Sequence, residues 1–147
     1  MALEIVRAEQ ADRGLREALA ALLPQLTRNP HTLDIKDLHQ IIANPCTALF
    51  VARIDEAPVG MLTLVWYDTP SGRKARIEDV VTDTAYRGRG AGTALVRAAV
   101  AHAALIGAPE VSLTSHPGRE AARALYRKEG FIEVETTVFA RKTDNQA

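Results

Sequence analysis

Residues 82–93 of this chain read TDTAYRGRGAGT, with Gly88, Gly90 and Gly92 at alternate positions, Arg87 just before the first and Arg89 between the first two. An apolar β-type run precedes the stretch and a long alanine-rich run follows it, so the bend falls where a strand ends and a helix begins. The first turn of a helix holds four amides without intrahelical acceptors, at the positive end of the helix dipole. Such a turn attracts phosphate, and glycine lets the oxygens approach because no Cβ intervenes. Three alternate glycines exceed what a tight turn requires, and the two arginines add local charge. Anion binding is therefore expected here. The spacing G-x-G-x-G is not the dinucleotide fingerprint G-x-G-x-x-G, and no Lys-Ser/Thr pair closes a Walker A loop.

The elements that must position this bend read as follows. LEIVRA alternates like a half-buried strand, and DRGLREALAALLPQL carries Leu15, Leu19, Leu22 and Leu26 at helical spacing. DIKDLHQIIAN predicts a short helix capped by Asp34, with Ile35, Leu38 and Ile42 as its stripe. Two β-rich runs around DEAP and a third from ARIEDVVT predict an antiparallel meander. GAGTALVRAAVAHAALIG reads as a helix, EVSLTS as a strand, GREAARALYRKEG as a helix ended by Gly130, and FIEV and TTVFARK as closing strands. The strand–helix–strand order after Arg76 predicts a parallel crossover added to an antiparallel sheet. The expectation is one α+β domain over residues 1–147, with 143–147 a frayed tail.

Composition narrows the function classes. Eighteen basic residues balance eighteen acidic ones in 147, which argues against a nucleic-acid partner, and RGRG lacks the interleaved aromatics of an RNA-binding segment. The single cysteine, Cys46, leaves no internal disulfide and no cysteine metal cluster, and it is expected to be buried. The four histidines, His31, His39, His102 and His116, show no metal-ligand spacing, so no metal is expected. Neither a signal-peptide core nor a run of about twenty apolar residues occurs, so a soluble, cytoplasmic protein without membrane contact is expected.

Arg87-Gly88-Arg89-Gly90-Ala91-Gly92 resembles the R-x-x-G-x-G/A pyrophosphate loop of the GNAT superfamily of acyl-CoA-dependent N-acyltransferases. The resemblance extends through IEDVVTD before the loop to the A-x-x-L-Y-x-x-x-G-F pattern at Ala122, Leu125, Tyr126, Gly130 and Phe131. It implies a mostly antiparallel sheet of six or seven strands, a central parallel pair that splays apart, and about four helices. It further implies acetyl-CoA as cosubstrate, with Val80, Val81 and Thr82 beside the pantetheine arm and Arg87 to Thr93 at the diphosphate. Tyr126 matches the tyrosine placed near the sulfur, where a phenol of ordinary pKa about 10 carries a proton to donate.

Glu78 and Asp79 are the base candidates, and IEDVV resembles a segment of glucosamine-6-phosphate and aminoalkylphosphonate acetyltransferases. Neighbouring strand residues point to opposite faces, so without a bulge only one faces the acceptor; Glu78 is preferred. Arg119 stands where many members have an asparagine that contacts pantetheine, and as an arginine it could reach phosphate instead. The acceptor is expected to be a small-molecule primary amine, an anionic one if Arg28, His31, Arg73 and Lys74 face inward. A protein N-terminus or lysine, or acyl-CoA sensing without turnover, are the other readings. A homodimer is common among similar proteins.

Overall fold

The computed structural model describes residues 2–143. Apart from Thr143, the expected tail lies outside the described residues. The chain opens with β1 (Leu3–Arg7), followed by α1 (Arg13–Leu26) and α2 (Ile35–Ala43). Asp12 caps α1, its Oδ1 accepting from Leu15 N at 2.8 Å. At α2 the Asp34 carboxylate accepts from Asp37 N at 2.8 Å, and Asp37 accepts from Asp34 N at 3.1 Å, a reciprocal capping box.

Three strands then run back and forth: β2 (Thr47–Ile54), β3 (Ala57–Thr69) and β4 (Gly72–Thr82). Asp55 and Glu56 both take positive φ, 50° and 70°, the geometry of a two-residue turn that matches the twist of the strands it joins. A short 3-10 turn (Thr84–Tyr86) leads to α3 (Ala91–Leu105), β5 (Val111–Ser112) and α4 (Glu120–Lys128). The sheet order is β1-β2-β3-β4-β5, antiparallel until β5, which pairs parallel with β4.

Alternation along β2 feeds two cores. Ala48, Phe50, Ala52 and Ile54 face α3, while Leu49 and Val51 face α1 and α2. Leu19, Leu38, Leu62, Leu64 and Leu95 are almost wholly buried, each contributing about 1.5–3 kcal/mol of burial free energy. Alanines at 91, 99 and 103 let α3 lie close on the sheet.

The class and the parallel pair match expectation, but the strand count does not, and the pair lies at the edge of the sheet rather than its centre. Among the described residues five strands form rather than six or seven, because FIEV and TTVFARK pair with no described strand and residues 132–143 are exposed. Strand-forming composition needs an adjacent edge before it becomes a strand. Cys46 is also exposed, not buried. It sits in the turn before β2, where its N donates to Asn44 Oδ1 at 2.8 Å and its carbonyl accepts from Trp66 N at 3.0 Å.

Candidate active site

The parallel pairing of β4 with β5 consists of Ala75 with Val111 and Arg76 with Ser112. Beyond it β4 continues from Ile77 to Thr82 with its β5-side edge unpaired. The wedge so opened is a cavity of 150 Å³. Ile77, Glu78, Asp79 and Val80 line one side, Leu113 to His116 the other, with Arg119 and Tyr126 from the start and body of α4 and Leu26 from the end of α1. A larger hollow of 260 Å³ between β1 and α1 involves none of the candidate site residues.

A bulge brings the two carboxylates together. Met61 pairs with Val81 and Thr63 with Glu78, so the single residue Leu62 opposes both Asp79 and Val80. Asp79 takes φ 51°, and both Glu78 and Asp79 line the cavity. The strand-parity argument that preferred Glu78 therefore does not apply. Glu78 Oε2 accepts from Arg76 Nε at 3.0 Å. Asp79 has no hydrogen-bond donor among the described residues; the residue keeps an exposed side to solvent, and the partial desolvation of its carboxyl in the wedge, reinforced by the charge of Glu78, pushes it above the ordinary range. Burial also pushes the Tyr126 phenol up, opposed in part by Arg119, so the phenol keeps its proton at neutral pH. The Tyr126 ring rests edge-on against Phe131, 5.9 Å between centroids.

At the far end of β4 the glycines divide into two jobs. Gly88 and Gly90 take φ 79° and 85°, which L side chains rarely adopt, and nothing stands within 4 Å of where their Cβ atoms would be. They make the bend. Gly92 has no such φ, but a Cβ there would come 3.2 Å from Leu125 Cδ1, so its bare Cα serves the contact of α3 with α4. Gly90 precedes α3 without any side-chain cap. The first intrahelical bond is Ala94 N to Gly90 O, 3.0 Å, which leaves the amides of Ala91, Gly92 and Thr93 without intrahelical acceptors. Arg89 lies over the Tyr86 ring, 5.2 Å from its centroid. Val81 is buried in the core beneath α1, so it can offer the wedge only backbone, while the Val80 side chain lines the cavity.

Sequence reasoning missed Gln25. Its Oε1 accepts from Thr84 N at 2.9 Å and its Nε2 donates to Asp83 Oδ1 at 3.4 Å, tying the end of α1 to the approach of the glycine bend. Nothing local in the sequence signals a contact across fifty-nine positions. His116 lines the cavity and accepts at Nδ1 from Gly118 N, 3.0 Å. None of Arg28, His31, Arg73 and Lys74 lines the cavity. Arg73 is held by Asp68, 2.7 Å at Oδ1, and by the Ile106 carbonyl, 2.8 Å; His31 pairs with Asp37 at 3.0 Å. Among the described residues no cluster of His, Cys, Asp or Glu could hold a metal ion, and no helix is long and apolar enough to cross a membrane.

The wedge, the uncapped helix and the distal tyrosine agree with what the sequence profile of the acetyltransferase (GNAT) family finds: it matches residues 15–131. The chain belongs to that family. As a GNAT protein it is an acetyl-CoA-dependent N-acetyltransferase. No curated protein matches it. Among solved structures, a proposed acetyltransferase from Agrobacterium tumefaciens str. C58 is 28% identical, over 95% of this chain and 99% of that one, with TM-score 0.82. An aminoglycoside acetyltransferase from an uncultured soil metagenomic sample, in complex with sisomicin, shares the fold with TM-score 0.83 at 23% identity over 96% and 95% of the two chains. Glucosamine-6-phosphate N-acetyltransferase from Arabidopsis thaliana shares it with TM-score 0.81 at 18% identity over 99% and 100%.

Proposed function

We propose that this GNAT enzyme acetylates a primary amine of a small molecule by direct attack, with Asp79 as base and Tyr126 as acid. The observation that carries the reading is the wedge itself, where an undonated carboxylate of raised pKa and a protonated phenol line one cavity. The residues present fit acetyl-CoA: the uncapped amides of Ala91, Gly92 and Thr93 with Arg87 and Arg89 suit a diphosphate, and the unpaired edge of β4 from Val80 to Thr82 suits the amide-bearing arm. When bound, acetyl-CoA supplies the acetyl group as a thioester.

Asp79 accepts a proton from the incoming ammonium, directly or through water, which frees the nitrogen lone pair. Backbone amides of the unpaired β4 edge are available to the carbonyl oxygen where negative charge develops. As the C–N bond forms and the C–S bond breaks, Tyr126 donates its proton to the departing sulfur, and the nitrogen, which still carries one proton more than an amide, releases it to solvent, from which Tyr126 is reprotonated. Glu78, held by Arg76, adds a second negative charge beside the amine.

Two carboxylates at the cavity favour an acceptor that enters as a cation. Arg119 and His116 on the same wall favour a second reading, an amino-sugar phosphate or aminophosphonate whose anionic group they would meet. A cavity of this size suits a small amine better than a folded protein's lysine.

The test pairs binding with turnover. Saturating acetyl-CoA should raise the melting temperature, and an amine and phospho-amine panel should release free CoA thiol. Tyr126→Phe should keep the thermal shift and lower turnover by about 10²–10⁴. A chain without the shift loses the cosubstrate assignment, and an unchanged rate removes Tyr126 as the acid.

A further inference from the structure

The 260 Å³ hollow between β1, β2 and the start of α1 takes no part in the wedge. Arg53 of β2 lines it, and Arg53 Nε is buried with no hydrogen-bond partner among the described residues. A buried guanidinium donor without an acceptor opposes folding, so native proteins rarely keep one without use. A carboxylate stands within reach along the sheet, since Glu4 of β1 lies directly opposite Arg53 in register. No ion pair joins the two, and Glu4 does not line the hollow. Arg53 is therefore committed to the hollow and not to its cross-strand neighbour.

Charge and lining say what fits there. Arg7 and Arg53 line the hollow together with Glu9 and Asp12, two charges of each sign. Arg7 is engaged by the Thr47 carbonyl at 3.3 Å and Asp12 Oδ1 by Leu15 N at 2.8 Å, whereas Arg53 and Glu9 have no hydrogen bond or ion pair among the described residues. A simple anion would meet the two carboxylates and a simple cation the two guanidiniums, so the lining suits a molecule that carries both signs. Val6, Leu15 and Val51 make the wall apolar elsewhere, Leu15 and Val51 as members of the core beneath α1. The volume falls just under the range of drug-sized pockets, about 300–1,000 Å³. We propose that the hollow binds a small aliphatic amino acid, with its carboxylate on Arg53, its ammonium toward Glu9 and its side chain against Val6, Leu15 and Val51. The carboxylate gives Arg53 Nε a charge-assisted acceptor. Because α1 starts at the hollow and ends at Leu26 in the wedge, its fourteen residues keep the two sites about 21 Å apart, and the bound amino acid is not the acceptor of the acetyl group.

Titration calorimetry of the full chain with L-leucine, in the absence of acetyl-CoA, tests this, with circular dichroism to confirm that each variant is folded. Leucine should bind and raise the melting temperature. Leucinamide, which lacks the carboxylate, and isocaproate, which lacks the ammonium, should both bind more weakly than leucine. Arg53→Met should weaken leucine by about ten- to a hundredfold, with Arg53→Gln in its place should the methionine variant not fold. Glu9→Gln, at an exposed position, should weaken it by about two- to fivefold. Asp79→Asn should bind leucine as wild type does. The proposal is overturned if leucine gives neither heat nor thermal shift at millimolar concentration, which would leave the hollow to water, or if either analogue binds as tightly as leucine. It is equally overturned if the Arg53 or Glu9 variants bind leucine unchanged, or if Asp79→Asn loses it, which would put leucine in the wedge.

Discussion

The two faces of the sheet treat aspartate and helix starts differently. Under α1 and α2, each helix start is closed by an aspartate side chain, Asp12 or Asp34, whose oxygen takes an orphan amide. On the α3 and α4 face, Gly90 and Arg119 stand at the helix starts and neither gives a side-chain cap. The aspartate near that side, Asp79, is turned by a bulge into the wedge and has no donor among the described residues. A carboxylate that satisfies amides stabilises the fold. A carboxylate without donors in the wedge, and helix-start amides without intrahelical acceptors at the end of the same strand, suit a ligand that brings an amine and a diphosphate.

The largest expected effect follows from removing that free carboxylate. Asp79→Asn should lower turnover by about 10²–10⁴ and erase the acid limb of the pH–rate profile, which Asp79 sets above the ordinary carboxylate range. Stability should move the other way. Burial raises the folded-state pKa, so the ionised carboxylate opposes folding at pH values above that raised pKa, and the penalty vanishes below the unfolded value. The variant should therefore melt no lower than wild type at neutral pH, and any advantage should fade as the pH falls through the carboxylate range. Full turnover in the variant would make Asp79 equivalent to the caps and dissolve the contrast.

A smaller effect is expected from giving α3 what α1 and α2 possess. Gly90→Asp puts a carboxylate at the open start of the helix, at a φ that aspartate tolerates better than most residues. It should compete with a diphosphate for the same amides and weaken acetyl-CoA by about ten- to a hundredfold, about 1.4–2.8 kcal/mol, with the fold retained. Asp79 and Tyr126 remain in place in this variant, so turnover at saturating acetyl-CoA should change far less than affinity. Equal losses in both would mean that the bend shapes the wedge as well as the phosphate end.

What was legible in the sequence follows the same division. Asp34 with its capping box, the leucine stripe of α1 and the glycine bend are local, set by residues within a turn of one another, and each appears where periodicity and cap chemistry place it. Asp79 was recognised as a base candidate, but its orientation depends on the register of β4 against β3, where one residue opposes two. No window along one strand contains that information. The cations Arg28, His31, Arg73 and Lys74 failed as acceptor contacts for a related reason: their partners or surroundings are set by tertiary placement, as with Arg73 and the Ile106 carbonyl. The terminal strands had the right composition but pair with no edge of the sheet among the described residues.

The smallest effect tests whether the contrast is local. Asp12→Ala removes the cap of α1 and leaves Leu15 N without its acceptor, a loss of about 1 kcal/mol that should lower Tm by about 2–4 °C. Asp12 lies one full helix away from Gln25, and fourteen residues of α1 span about 21 Å. Fraying of the first turn should therefore not reach the Gln25 contacts with Asp83 and Thr84 that steady the approach to the glycine bend. The thermal shift given by acetyl-CoA should be the same in the variant as in wild type, measured by calorimetry at equal saturation. A reduced shift would mean that α1 transmits its order along its length to the bend, and the capped face would then be part of the binding machinery rather than its support.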